Sequence, residues 1–322
     1  MTRTALLLAL ILPALAPQDA LRCAPEAGLV LRKRFEREGR LELLSMDMTV
    51  DGASHGGMQK PELSLEFSGK SVLLDRYEKV EEGRVTRLVR TFEELSEERS
   101  ERVSEPEGAE ERSSSAKSDL EGQSVVFTWD GDEQAYSAAF EDEKGDSDLL
   151  AGLEAELDLG AYLPSDQVSE GDTWEVPASA FATLLRPGGD LKLVSDQGQV
   201  AGPDAQLAEN LDGTIRATLR SGREEGDLSL AVIGLELELS ASAEHGLEDG
   251  SGEERQSNTY ELSGELCWVP AAGRFHSIEL TGSLRSAIVT RRSIQMGGQE
   301  FQTERTLELG GEVSYRLRAE VP

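Results

Sequence analysis

The chain of 322 residues is long enough for one large β domain or two smaller ones, because single hydrophobic cores stop growing at roughly 250–300 residues. Its 62 acidic and 32 basic residues give a formal net charge of −30. A negative field of that size repels phosphate backbones and anionic membrane surfaces, so the charge argues against nucleic acid as a partner.

The first residues have the pattern of a secretory signal peptide. Met1-Thr-Arg-Thr supplies a basic start, and an almost unbroken apolar run follows from Ala5 to Ala16. Residues 1–20 are therefore predicted to be a signal peptide, cleaved after Ala16 or a few residues later near Ala20. The run is too short to span a bilayer, and Gly, Glu or Arg interrupts every later apolar stretch. The mature protein is predicted to be exported, to the periplasm or the extracellular space, without a transmembrane segment.

The two cysteines, Cys23 and Cys267, leave two alternatives open. An oxidising compartment favours a disulfide that ties the mature N-terminus to a late strand. The alternative is two unpaired thiols, one in a mobile terminus and one buried. A lipid anchor on Cys23 is not predicted, because Arg22 precedes it where a lipoprotein signal needs a small residue.

Alternation of apolar and polar residues with a period of two is the commonest pattern after the signal, and it predicts β-strands. The first strand begins at Gly28 and continues through Leu41 to Val50. Near its start, Leu29, Leu31 and Lys33 point to the same face.

Two hairpins are predicted next in the chain. They are Ser71–Val80 with Arg84–Phe92, joined by Glu81-Glu82-Gly83, and Ser124–Trp129 with Gln134–Phe140, joined by Asp130-Gly131-Asp132. Glycine takes the positive φ that a tight turn needs, and Asp-Gly between alternating runs is a strong short-range hairpin signal. Trp129 shares a face with Val125 and Phe127, which predicts that it is a structural anchor.

Between these hairpins, the chain from Glu93 to Asp119 is almost entirely Glu, Ser and Arg. Such a segment buries too little apolar surface to offset the entropy lost on ordering. A frayed helix followed by a disordered acidic loop over residues 96–119 is predicted.

Two short helices are predicted in the middle of the chain, at Asp148–Leu157 and Pro177–Leu185, each followed by Gly and Pro. A seam near Leu163–Gly171 divides the chain into β-rich halves at 21–161 and 162–322. One continuous domain is the alternative.

The C-terminal third has the clearest alternation. Its predicted strands are Thr214–Arg220, Asp227–Glu244, Asn258–Val269, Gly273–Thr290 and Gln299–Glu320. Trp268 shares a face with Tyr260, Leu262 and Leu266, as expected of a buried anchor. The predicted fold is all-β and mainly antiparallel: a curved meander forming a barrel, a half-barrel or a sandwich, with one or two short helices.

No catalytic residue, metal ligand or cofactor site is predicted. The three histidines, His55, His245 and His276, stand in no nucleophile or zinc motif, and phosphate-binding glycine motifs are absent. Acidic loops such as Asp130 to Glu133 carry oxygen donors suited to calcium, but their spacing matches no EF-hand.

The segment Leu163-Pro164 to Val168, followed by Gly171-Asp172-Thr173-Trp174, is the most individual motif. It resembles an L-P-x(n)-V-x-x-G-D-x-W segment in families of exported bacterial β-rich proteins of unknown function. The resemblance implies export and a β fold, and it brings no activity or catalytic residue. Trp174 itself enters a strand and is predicted to be a buried structural anchor rather than a ligand contact.

These patterns predict a non-enzymatic structural or binding module of the cell envelope. A curved sheet lined by Leu, Val, Phe and Trp has the capacity to hold an apolar ligand or to meet a protein partner, but the preferred interpretation is that these side chains simply fill a core. The alternative is an exported hydrolase that works through acidic residues, with or without Ca²⁺. The identity of the ligand or partner does not follow from the sequence.

Overall fold

The computed structural model describes residues 21–54, 61–105, 108–195, 204–247, 250–296 and 299–322. The signal peptide predicted at 1–20, and His55, lie outside these ranges. Within them, fifteen strands belong to one curved, unclosed sheet whose neighbours are antiparallel, so the predicted fold class is confirmed. No helix in the described part of the chain has the length and apolar character needed to cross a membrane.

The described strands range from 2 to 23 residues in length, and seven of them have 18 residues or more. In chain order, the strands are β1 (Val30–Val50), β2 (Ala53–Ser54), β3 (Glu62–Glu81), β4 (Arg84–Glu105), β5 (Gly108–Lys117), β6 (Ser124–Asp130), β7 (Ala135–Phe140), β8 (Thr173–Val176), β9 (Val194–Ser195), β10 (Leu211–Leu219), β11 (Arg223–Glu225), β12 (Leu228–Gly246), β13 (Gly252–Val269), β14 (Arg274–Met296) and β15 (Gln299–Glu320). Two short helices, α1 (Ala182–Leu185) and α2 (Asp204–Glu209), and short 3₁₀ segments complete the described structure.

The path across the sheet is β7-β6-β4-β3-β1-β15-β14-β13-β12-β10-β8. β1 lies in the middle, where Arg34 is opposite Val72 of β3 on one side and Arg318 of β15 on the other. Strands of both predicted halves of the chain therefore belong to the same sheet.

Both predicted hairpins are confirmed, but their turns differ. Between β3 and β4, Glu82 and Gly83 have φ of 51° and 82°, as a tight primed turn requires. Between β6 and β7 the positive φ lies at Gln134 rather than at Gly131. There the Asp130 carboxylate accepts hydrogen bonds from two backbone N–H groups of the loop, at 2.8 and 3.2 Å, and so forms an Asx turn.

The prediction of a frayed helix and a disordered loop at 96–119 is wrong. β4 continues to Glu105 and pairs with β5, with Ser96 opposite Lys117. The composition is polar, but the backbone of β4 from Ser96 to Ser104 is paired with β3 on one side and with β5 on the other. Glu97 of β4 also accepts a hydrogen bond from Arg37 of β1 at 2.8 Å, over Gly69 of β3, which lies between them.

The two predicted helices have different outcomes. The segment 178–185 is helical, first as a 3₁₀ turn at Ala178–Phe181 and then as α1. Asp148–Leu157 is not a helix, because only Ser147–Leu150 forms a 3₁₀ turn and Gly152 then adopts a φ of 79°. The rest of that segment is extended and bridges to residues 188–190, which buries Leu157 against the sheet.

The hydrophobic core lies between one face of the sheet, called the core face below, and the chain segments 147–193 and α2. Phe181 is fully buried there, with its ring edge-on to Tyr260 at 5.4 Å and Tyr315 at 5.2 Å between centroids. Leu157, Leu159 and other side chains of the inserted segments join the same cluster. The hollow of the curved sheet is thus filled largely by the protein's own chain.

Candidate functional site

A network of buried charges lies beneath residues 147–193, which we call the inserted segment. The Lys33 ammonium contacts an Asp75 carboxylate oxygen at 3.0 Å and an Asp158 oxygen at 2.7 Å. Arg90 donates two hydrogen bonds to the Asp75 carboxylate and further hydrogen bonds to the carbonyl oxygens of residues 154 and 155. Tyr77 donates its hydroxyl to Asp158 at 2.6 Å. Two cations and two carboxylates therefore neutralise one another in the core.

This network has the character of a structural clamp. Burial raises the pKa of Asp75, but the charges and hydrogen bonds of Arg90 and Lys33 outweigh burial and hold it at about 2. Arg90 and Lys33 also bond backbone oxygens of residues 154–157, so the network fastens the inserted segment to β1, β3 and β4. All its charged groups are partnered within the network.

Both cysteines are free thiols in the structure. Cys23 packs against the main core beside Gly160, and burial, followed by the nearby Asp158 charge, raises its pKa to about 12. Cys267 lies in a small apolar cluster on the other side of the sheet, where Arg223 donates to its sulfur at 2.9 Å. Because residues 266 and 268 face the main core, Cys267 points away from Cys23.

The two histidines in the described part of the chain, His245 and His276, have separate surroundings. His276 is buried and contacts Glu225 at 3.3 Å, which Arg318 also binds at 2.9 Å. His245 lies 3.6 Å from Glu254 near the end of β12. Among the described residues, no group of three or more His, Cys, Asp or Glu is arranged to hold a metal ion.

The three tryptophans occupy packing positions. Trp268 is fully buried in the core. Trp174 is half-buried and donates its indole N–H to the Tyr162 carbonyl at 3.0 Å. Trp129 stacks edge-on against Tyr136, and the Arg84 guanidinium lies 4.0 Å from its ring centroid. None of these three side chains borders the cleft described next.

A cleft of about 290 Å³ opens between the core face and the segment 185–193, and we call it the Arg186 cleft. Its walls come from β1, β3, β4, α2 and the loop after α1. The apolar part of its lining consists of Phe35, Leu185, Pro187, Leu191 and Leu193. Gly69 adds open space to one wall, because a Cβ placed there meets nothing nearer than 3.7 Å.

Four cations and two carboxylates belong to the lining of the cleft. Lys70 pairs with Glu94, outside the lining, at 2.6 Å. Arg37 pairs with Glu97 at 2.8 Å, and Lys192 pairs with Asp190 at 2.7 Å. Arg186 is the exception, since its nearest carboxylate contact is Glu154 at 4.0 Å. Its side chain is only 16% exposed and donates no hydrogen bond to any described group. Among the described residues, Arg186 is therefore the lining cation that lacks a close carboxylate, in a chain of net charge −30.

A wider groove of about 1120 Å³ crosses six strands, and its lining includes Glu38, Glu66, Glu98 and Glu312. These glutamates alternate along their strands with core-face residues, so they lie on the outer face. Serine and threonine hydroxyls fill most of the other positions there. Such side chains are usual on the solvated face of an antiparallel sheet, which makes the Arg186 cleft the stronger candidate for a site.

The alternation of residues in β1 carries one signal for the buried charge network. Lys33 occupies a core-face position in the alternation of Leu31 and Phe35, and a lysine there requires a buried partner. Arg186 gave no comparable signal, because its surroundings are assembled from segments far apart in the chain.

No family model matches this sequence, and no curated protein matches it significantly. Among solved structures, an outer membrane channel from Pseudomonas putida F1 aligns with 95% of this chain and 100% of its own, at 8% identity and a TM-score of 0.23. The V. cholerae type IV competence pilus secretin PilQ covers 91% of this chain and 60% of its own, at 8% identity and a TM-score of 0.17. The β domain of the Bordetella autotransporter BrkA covers 90% and 99%, at 9% identity and 0.16. Likeness at these TM-scores carries no argument about function.

Proposed function

We propose that this protein is an exported, non-enzymatic binding protein that holds a small, mainly apolar ligand in the Arg186 cleft. Export is supported by the signal-like composition of residues 1–20. Binding is supported by the cleft itself, whose lining combines apolar side chains with a few charged groups. This combination is typical of small-molecule sites.

One observation carries the proposal. The hollow of the sheet is filled by inserted segments, yet beside Leu185 and Leu191 the same segments leave a cleft of about 290 Å³. That volume is near the lower end of the roughly 300–1,000 Å³ found for ligand pockets, so it suits a small molecule. A large lipid does not fit in it.

The charges in the cleft favour binding over acid–base hydrolysis. A glycosidase needs one carboxylic acid whose pKa is raised so that it can protonate a leaving group. Burial alone raises the pKa of Asp190, but its hydrogen bonds to Lys192 outweigh burial and lower it. Glu97 is held in an ion pair with Arg37. Asp190 is therefore suited to remain an ionised partner of Lys192, and Glu97 is engaged by Arg37.

Native mass spectrometry of the mature protein, purified from its own host without detergent, tests the proposal directly. A discrete excess mass that disappears on denaturation is the expected result. Octanol is the matching probe in vitro, because it is small, mainly apolar and uncharged. We expect it to displace the native ligand or to bind the emptied protein in a saturable way.

A pair of glycine variants locates the site. Gly69→Leu adds a side chain to the cleft wall at a position with ordinary van der Waals space. Gly246→Leu, at the end of β12, makes the same change at a roomy strand position far along the chain from the cleft. Octanol binding lost in Gly69→Leu and kept in Gly246→Leu supports the proposal. A bare polypeptide mass together with no octanol binding overturns it.

A further inference from the structure

Among the described residues, none lies close enough to Arg186 to neutralise its charge or to accept a hydrogen bond from its side chain. The guanidinium has five N–H donors, and removing it from water without partners is costly. Arg37, Lys70 and Lys192, the other cations of the cleft, each have a carboxylate within 2.8 Å. Within the described part of the chain, the nearest carboxylate to Arg186 is that of Glu154 at 4.0 Å, and the Glu154 side chain is 55% exposed, so that contact is weak. The Arg186 charge also acts on Asp190, which lies beyond ion-pair distance.

Arg186 directly follows α1 and is one of the residues that line the cleft. Its backbone N–H is used at the end of α1, where it donates to Ala182 at 2.9 Å, so the backbone is fixed and the side chain lines the cleft. The apolar side chains of Leu185 and Leu191 lie beside it. A ligand with a charged head group near Arg186 and a hydrocarbon part against these leucines would match both the charged and the apolar lining of the cleft.

We propose that the ligand is a small amphipathic anion whose carboxylate or phosphate head binds Arg186. The inference rests on the function proposed above and names its ligand class. Guanidinium groups bind these head groups through two parallel hydrogen bonds, which would satisfy the Arg186 donors that the described residues leave unpaired. The ligand would thereby supply the missing partner of a nearly buried cation.

Three eight-carbon probes separate the alternatives: octanoate, octyl phosphate and octanol, titrated at neutral pH by calorimetry or by displacement of a fluorescent probe. We expect either anion to bind roughly tenfold or more tightly than octanol, as a charge-assisted hydrogen bond in a partly buried site permits. The stronger of the two anions identifies the head group. Equal binding of all three overturns this inference alone, whereas no binding by any of them overturns the proposed function as well.

Variants of Arg186 and its neighbour test the assignment of the residue. Arg186→Met retains an apolar stem and should remove roughly ten- to a hundredfold of the anion affinity while leaving octanol binding nearly unchanged. Glu154→Gln removes the competing carboxylate and should strengthen anion binding by about two- to fivefold. Arg216→Met, at an exposed position on β10, is the matched control and should change neither.

Circular dichroism and urea unfolding of each variant show whether it is folded. Arg186→Met that is folded and binds octanoate as tightly as the unmodified protein overturns the inference. If that variant fails to fold, the Glu154→Gln comparison decides, and an unchanged ratio of octanoate to octanol affinity in it counts against Arg186.

Discussion

Arg90 holds Asp75 through two parallel hydrogen bonds, Nε to Oδ1 at 2.7 Å and Nη2 to Oδ2 at 2.9 Å, and neither side chain has any exposed surface. Lys33 contacts the same carboxylate from β1. Removing one member of such a group leaves the others charged and buried, which costs far more than the intact group contributes.

Asp75→Asn is therefore expected to lower the free energy of unfolding by about 3–5 kcal/mol. Glu78→Gln is the matched control, because Glu78 binds Arg76 and Arg87 on the exposed surface, where a pair contributes about 0–1 kcal/mol. Urea unfolding followed by tryptophan fluorescence measures both variants. Equal losses in the two variants would show that Asp75 is not a member of a buried clamp.

The same carboxylate predicts a dependence of stability on pH. Its folded pKa of about 2 lies below an unfolded value of about 3.9, so its stabilising contribution is complete above about pH 4 and is lost as the pH falls toward 2. This difference corresponds to about 2–3 kcal/mol. The gap in unfolding free energy between the unmodified protein and Asp75→Asn should shrink over this range. A gap that stays constant from pH 5 to 2 contradicts the prediction.

The cysteines are expected to be two unreactive thiols in the folded protein. A thiol reacts as its thiolate, and the pKa of about 12 for Cys23 leaves almost none at pH 8, while Cys267 is buried. Iodoacetamide should therefore modify neither residue quickly in native buffer. In urea without a reducing agent it should add two groups, counted by intact mass. A denatured protein that takes up none would reveal a disulfide.

The two hairpin turns predict opposite outcomes for the same substitution. Gly83→Ala should destabilise the protein by about 1–2 kcal/mol, because Gly83 has a φ of 82° that alanine adopts poorly. Gly131→Ala should be neutral or slightly stabilising, since Gly131 has no positive φ and a Cβ there meets nothing within 4 Å. Thermal unfolding of both variants makes the comparison, and a larger loss at Gly131 would contradict it.

Local patterns in the sequence were sufficient for the long C-terminal strands, for the strand segments beside the two predicted hairpin turns and for the Glu82-Gly83 turn, because alternation and positive φ are properties of neighbouring residues. They failed for β4 and β5, where polar residues are ordered by backbone pairing with other strands rather than by their own burial. They failed again at Asp148–Leu157, whose helix-forming composition is overridden by docking against the sheet and by Gly152.

The candidate site was less accessible to sequence reasoning. The alternation placed Lys33 on the core face, but its partner Asp158 follows 125 residues later, and no local pattern joins them. The Arg186 cleft likewise brings Phe35 of β1 to Leu185 of α1. Only the pairing of distant strands, and the way the inserted segment packs on them, creates these neighbours.

The central position of β1 also constrains how the chain reaches this structure. β1 pairs along its length with β15, so the middle of the sheet forms only when the last strand is available. Until then β1 and β14, of 21 and 23 residues, each present a long edge with unpaired backbone groups. Such edges recruit strands from other chains, and contacts this distant in sequence form slowly. Newly made chains should therefore depend on being kept apart from one another until their final strand has emerged.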